Sequence, residues 1–309
     1  MKYLAENNFK VISLEDFVKH LNNQRAFADK TVLITFDDGY QSILDNALPV
    51  LKEYQFPFTV FINAKPIVQK LPPWMSWDEL RELQKHNASI ANHGYEHLHM
   101  IRLLAGESKA EWLIRITEDI EKNQSLLESE LGVKLKALAY PYGEYDSTNI
   151  KPLLERKGYL GFAQHSGAVS VSVDQQAIPR FPFGGSYGAM EDFKDKVNAL
   201  AIDVKSMSLK SESGKLLDDH VLTGRAAKPS LLVELAQPEA LERLSCFYTG
   251  QGLLKKSIDG GIATFSLSDS VPPGRTRFNC TLPSDQKQRF YWFSQPLIQR
   301  MPDGQWYKE

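Results

Sequence analysis

The sequence predicts an α/β protein with a mostly parallel sheet and helices outside it, as an open sheet or a barrel, followed by an antiparallel β-sandwich of about 100 residues. Two observations carry this reading. Short apolar runs alternate with amphipathic helical patterns over the first two thirds of the chain. After about residue 202 the texture changes to short alternating segments separated by turn residues. The boundary is therefore placed so that one domain spans 1–202 and an accessory domain spans 203–309.

The elements of the first domain follow in order. Residues 32–36 form an apolar run that stops at Asp37 and Asp38. A helix is predicted over 42–54 and the next strand over 58–63. Ser76-Trp77-Asp78-Glu79 has the spacing of a capping box, and the helix it opens should reach Lys85. A strand over 89–92 leads into a histidine-rich segment. Residues 107–131 read as a long charged amphipathic helix, stopped by Gly132 where a left-handed cap is favoured. A strand at 137–140 precedes a helix that Ser147 can cap and that ends at Gly158. Strands at 160–163 and 178–183 and a helix over 190–201 complete the series.

In the second domain, runs at 230–234, 244–248, 262–267, 276–282 and 289–293 alternate, with Asp259-Gly260-Gly261 and Pro272-Pro273-Gly274 as turns between them. The 309 residues are 42% hydrophobic and 24% charged with net charge −2, which marks neither a nucleic-acid binder nor a membrane-surface binder. No apolar run approaches the roughly 20 residues that span a bilayer. MKYLAENNFK at the start lacks the apolar core of a signal peptide. The two cysteines, Cys246 and Cys280, could form one bridge or be two buried thiols.

The strand ends carry the chemistry, because in parallel α/β folds the loops at the C-terminal edge of the sheet face one cavity. Two adjacent carboxylates at the mouth of a buried strand are costly unless paired, hydrogen-bonded or metal-bound. The next strand ends in Asn92-His93-Gly94-Tyr95-Glu96-His97-Leu98-His99, where His93 and His97, four residues apart, would share one face of a helical turn. Two imidazoles and a carboxylate are a common set for a first-row divalent metal with one position left open. Further ends give Tyr140-Pro141-Tyr142-Gly143, a tight turn able to aim backbone N–H groups inward, then His165 in GFAQHSG and Arg180 in PRFPF.

TFDDGY, HxxxH and PYG in this order resemble the polysaccharide deacetylase family, carbohydrate esterases with a NodB-homology domain, over roughly residues 8–200. The resemblance implies a distorted (β/α) barrel that hydrolyses N-acetyl groups of an amino-sugar polymer with a divalent metal, usually zinc. It maps Asp37 onto the general base and Asp38, His93 and His97 onto the metal triad. The oxyanion would then be held by the metal and the Tyr142 backbone N–H, with Pro141 beside the substrate; Tyr95, by its aromatic type, could line a sugar groove or belong to the core. An N-acetylated glycan is the expected partner, and such a substrate implies a periplasmic, extracellular or cell-envelope location.

Two departures from the family pattern are visible. No arginine precedes PYG, where the chain reads Leu138-Ala139-Tyr140, so Arg180 is the candidate to orient Asp37. No leucine-led final motif supplies a general-acid histidine, so His165 is the candidate acid. O-deacetylation of an acetylated polysaccharide and non-catalytic glycan binding on the same barrel stay open as alternatives. His99 reads as a neighbour of the triad. Trp74, Trp77 and Tyr291-Trp292-Phe293 read as core aromatics or sugar contacts, and His20, His86 and His220 receive no functional reading.

Overall fold

A computed structural model describes residues 1–185, 188–223 and 227–307. The chain divides into two compact units. The first comprises Met1–Tyr145, Ile150–Ala163 and Val173–Ile178, and the second Asp146–Asn149, Gln164–Ser172 and Pro179–Glu309. Residues 164–172 and 179–202, placed by the sequence reading in the first domain, thus pack with the second unit.

In the first unit, β1 (Lys10–Val11) and β2 (Thr31–Val32) form a parallel pair. Strands β3 (Thr35–Phe36), β4 (Phe58–Ile62), β5 (Ala88–Asn92), β6 (Ala137–Ala139) and β7 (Leu160–Phe162) lie side by side in that order, all parallel. The distorted barrel expected from the sequence takes this form. The run predicted as one strand at 32–36 is split: Val32 pairs with Val11, whereas Thr35 and Phe36 pair with Thr59 and Val60. The chain passes from one pairing to the other at Ile34, whose carbonyl accepts the Thr59 N–H.

Strand β4 is buried along its whole length, which is why its sequence is a continuous apolar run and not an alternating one. Phe58, Val60 and Ile62 pack in one cluster with Leu51, Leu80, Leu83 and Leu127 from the flanking helices. Phe61 points the other way, 5.1 Å ring to ring from Phe162. Each such buried side chain contributes about 1.5–3 kcal/mol relative to exposure.

The helix starts are those their caps dictate. Ser76 opens Trp77–Gln84 with a complete capping box. Ser108 does the same for Lys109–Leu131, which Gly132 closes at φ +69°. The helix predicted over 42–54 is a π-helical turn, Ile43–Ala47, continued by the α-helix Leu48–Glu53. The strand expected at 178–183 shrinks to one bridge between Phe162 and Ile178. Pro179 and Pro182 have no N–H to give to a ladder. The last predicted helix runs only Met190–Val197.

In the second unit, β8 (Val204–Lys210), β9 (Leu216–Leu217), β10 (Val221–Leu222), β11 (Ser230–Leu235), β12 (Ser245–Tyr248), β13 (Gly252–Leu253), β14 (Lys255–Asp259), β15 (Ile262–Ser266), β16 (Gly274–Pro283) and β17 (Phe290–Gln299) form two five-stranded sheets. One has the order β14-β15-β11-β8-β9 and the other β10-β17-β16-β12-β13. Leu231, Val233 and Phe265 of the first share one core with Cys246, Phe278 and Leu297 of the second, the packing of a β-sandwich. Cys246 and Cys280, opposite each other on β12 and β16, are joined by a disulfide. Among the described residues no helix is long and apolar enough to cross a membrane.

Candidate metal centre and active site

Three loops at the C-terminal edge of the parallel sheet build the centre. After β3 the chain turns through Asp38 (φ +72°) and Gly39 (φ +79°), with the Gly39 N–H bonded to the Asp37 carbonyl at 3.0 Å. A Cβ at Gly39 would lie 2.6 Å from Ile62 Cδ1 on backbone at positive φ, so a side chain there would be strained and would displace Ile62.

His93 directly follows β5, its N–H donated to the Ile62 carbonyl at 2.8 Å. Its ring is buried, and Nδ1 lies 2.8 Å from the Ala139 carbonyl of β6. A carbonyl only accepts, so Nδ1 carries the proton and Nε2 keeps its lone pair. That Nε2 lies 3.5 Å from Asp38 Oδ1, and His97 Nε2 lies 3.4 Å from the same oxygen. One ligand-capable atom from each of Asp38, His93 and His97 falls within 4.8 Å of the other two.

The two histidines do not meet on a helical turn as their spacing suggested. Residues 93–99 form an irregular loop, in which Gly94 (φ +73°) and His97 (φ +57°) reverse the chain and bring the imidazoles to 4.8 Å. Buried polar side chains of the helix Lys109–Leu131 hold this loop. Asp119 accepts the N–H groups of Tyr95 and Glu96, both at 2.9 Å. Asn92 Oδ1 accepts the Gly94 N–H and an Asn123 N–H, each at 2.8 Å, while its Nδ2 donates to the Ile120 carbonyl at 3.0 Å. Asn123 also donates to the Ile62 carbonyl at 2.7 Å and accepts the Ala64 N–H at 2.9 Å, tying the ends of β4 and β5 to one helix.

Electrostatics keep the donor set ready for a cation. Burial, reinforced by neighbouring His93, pushes the His97 pKa down to about 4, against the opposing pull of Asp38 and Asp37. At neutral pH His97 is therefore an uncharged imidazole. Two imidazole nitrogens and one carboxylate oxygen, converging from three sides, fit a first-row divalent metal such as zinc.

The third loop follows β6. Pro141–Gly143 is a 3-10 turn in which Tyr142 is held at φ +58°. The Tyr142 ring lies 4.5 Å from that of His97 and stacks on His99 at 3.8 Å with an interplanar angle of 9°. His99 Nδ1 in turn donates to Glu144 Oε2 at 2.8 Å, and Arg102 Nη2 donates to Glu144 Oε1 at 2.9 Å. Glu144 is completely buried, so its carboxyl end of both bonds is shielded from water, and the bond from the Arg102 guanidinium is charge-assisted. His99 thus backs Tyr142, a role that its type alone did not announce.

The remaining candidates divide between the units. Asp37 adjoins Asp38 and its charge acts on His97. Lys122 Nζ sits 3.6 Å from the ring centre of Tyr95, covering one face of it. His165 and Arg180 belong to the second unit, where the Arg180 N–H donates to the His165 carbonyl at 3.0 Å. The supporting groups Asp119, Asn123, Glu144 and Arg102 were not singled out from sequence. The available signal was that Asp119 and Asn123 fall on the same helical stripe as buried Trp112, Ile116, Ile120 and Leu127.

Residues 24–160 match the sequence model of the family described as polysaccharide deacetylase. A poly-β-1,6-N-acetyl-D-glucosamine N-deacetylase of Staphylococcus epidermidis is 28% identical over 184 residues, which are 58% of this chain and 63% of that protein. The Staphylococcus aureus protein of the same name is 25% identical over 185 residues, with the same coverage of both chains. The chain spans about 61–63% of the length of the curated relatives it matches. Among solved structures, IcaB from Ammonifex degensii superposes with a TM-score of 0.53 at 25% identity, covering 60% of this chain and 82% of that one. The Streptococcus pyogenes deacetylase PplD, in complex with acetate, gives 0.57 at 19% identity over 63% of this chain and 83% of its own, a likeness of fold.

Proposed function

We propose that this chain, whose residues 24–160 match the sequence model described as polysaccharide deacetylase, hydrolyses N-acetyl groups of an amino-sugar polysaccharide, releasing acetate and leaving the free amine. The observation that carries the reading is the convergence of Asp38 Oδ1, His93 Nε2 and His97 Nε2 beside a second carboxylate, Asp37. A divalent metal on that triad would supply Lewis-acid polarisation of the acetamide carbonyl and lower the pKa of water.

The chain's own groups then take distinct parts. With Asp38 as a ligand, Asp37 is the carboxylate assigned to accept the proton of the attacking water. The backbone N–H of Tyr142 is the candidate donor to the oxygen that gains charge as water adds to the carbonyl carbon; the turn at φ +58° and the stacking of its ring on His99 support that reading. His165 is the candidate that returns a proton to the leaving amine and Arg180 the candidate charge for Asp37, both assigned from sequence. The relatives named for poly-β-1,6-N-acetylglucosamine support that polymer class as substrate. The Cys246–Cys280 disulfide supports an oxidising compartment, periplasmic or extracellular, where such a polymer is met.

The test is acetate release from β-1,6-linked N-acetylglucosamine oligomers, with O-acetylated xylan in parallel. Acetate from the amide substrate in excess of the ester, lost by 10²-fold or more in Asp37→Asn at unchanged metal content, is the expected result for a missing general base. Equal turnover by Asp37→Asn would remove the mechanism, and acetate from xylan alone would move the activity to O-deacetylation.

A further inference from the structure

We propose that Tyr40, backed by Trp74, is a stacking platform for a pyranose ring of the bound glycan, beside the Asp38–His93–His97 centre; the assignment rests on the reading of the chain as a glycan deacetylase. Tyr40 ends the TFDDGY segment, two residues after the carboxylate that joins the two imidazoles. It is 38% exposed, whereas His93 of the centre is buried and Asp38 and His97 are partly buried.

Its position is fixed from below. The Tyr40 backbone bridges that of Trp74 in antiparallel sense, the Gln41 N–H donates to the Pro73 carbonyl at 2.7 Å, and the Met75 N–H donates to the Gly39 carbonyl at 3.1 Å. The two rings lie 5.2 Å apart with 35° between their planes, so Trp74 supports Tyr40 and stops it folding down onto the protein. Little conformational freedom remains to be lost when a ligand arrives.

The other aromatic rings of the centre are engaged. Tyr95 carries Lys122 on its face, and Tyr142 is stacked on His99. Tyr40 is the more exposed of the three. A half-exposed phenol offers an apolar face and a polar tip, matching a pyranose, which has a C–H face and a hydroxyl rim.

The experiment uses the Asp37→Asn chain loaded with zinc, so that a β-1,6-linked N-acetylglucosamine pentamer binds without being consumed, and reads Kd by calorimetry. Adding Tyr40→Ala should weaken binding about tenfold, and adding Tyr40→Trp should return it to within about twofold. Zinc content should be equal in all three proteins. A Kd for Tyr40→Ala within about twofold of its parent, at equal zinc content, overturns the platform. The wild-type chain assayed in parallel separates the two failures. Acetate released from the pentamer together with indifference to Tyr40→Ala removes the platform and leaves the deacetylase. Neither binding nor acetate removes both.

Discussion

Asp38, His97 and Tyr142 are three of the ten non-glycine residues with positive φ among those described, and all three belong to one small centre. The left-handed region costs such residues about 1–2 kcal/mol each. That cost is tolerated where the surroundings over-determine the backbone, as at ligand-holding turns. His97 adds an electrostatic consequence. Its folded pKa of about 4 lies below the unfolded value near 6.5, so between these limits the unfolded chain binds a proton that the folded chain refuses. The contribution of neutral His97 is therefore fully present above pH 6.5 and is lost as pH falls toward 4. The metal-free protein should lose about 3 kcal/mol of stability through this window, read by urea unfolding at fixed pH values, and His97→Phe should flatten the slope. An unchanged slope in His97→Phe would place the proton uptake elsewhere.

At the scale of elements, the helix Lys109–Leu131 is the scaffold on which the histidine loop is hung. Asn123 is fully buried and serves the Ala64 N–H, the Ile62 carbonyl and Asn92 at once. Replacing it with alanine strands the Ala64 N–H and removes a donor from Asn92 Oδ1, while the Ile62 carbonyl still accepts from His93. Unfolding free energy should fall by about 3 kcal/mol, the cost of one or two unsatisfied buried groups. Zinc affinity should fall with it, because the His93–His97 loop loses its anchor through Asn92. A variant as stable as wild type would show that the network carries no load.

This scaffold was the part of the site least legible in the sequence. Asp37, Asp38, His93, His97 and Tyr142 stand at strand ends in ordered motifs, and the capping boxes at Ser76 and Ser108 mark helix starts through local chemistry alone. Asn92, Asp119 and Asn123 act through partners 23 to 61 residues away, which no local pattern encodes. The helical reading of HxxxH failed for a related reason. Gly94 and His97 adopt positive φ to meet Asp38, so tertiary pairing overrides the face that the spacing alone implied.

For the whole molecule, the change of texture after residue 202 marked the all-β region, because alternating burial is written directly into strands such as Ser230–Leu235. Strands β8 and β14 escaped notice, β14 being polar and mostly exposed and β8 carrying polar residues at four of its seven positions. The split of 32–36 between two sheets was invisible as well, since both halves are apolar and only the pairing partners differ.

The central claim is that Asp38, His93 and His97 together hold one divalent metal. It is tested most directly by loading the purified chain with zinc, desalting it and measuring metal by mass spectrometry. Wild type should retain about one equivalent, and Asp38→Ala and His93→Ala less than about a tenth of that, with the circular dichroism of all three alike. A full equivalent of zinc retained by Asp38→Ala would contradict the account.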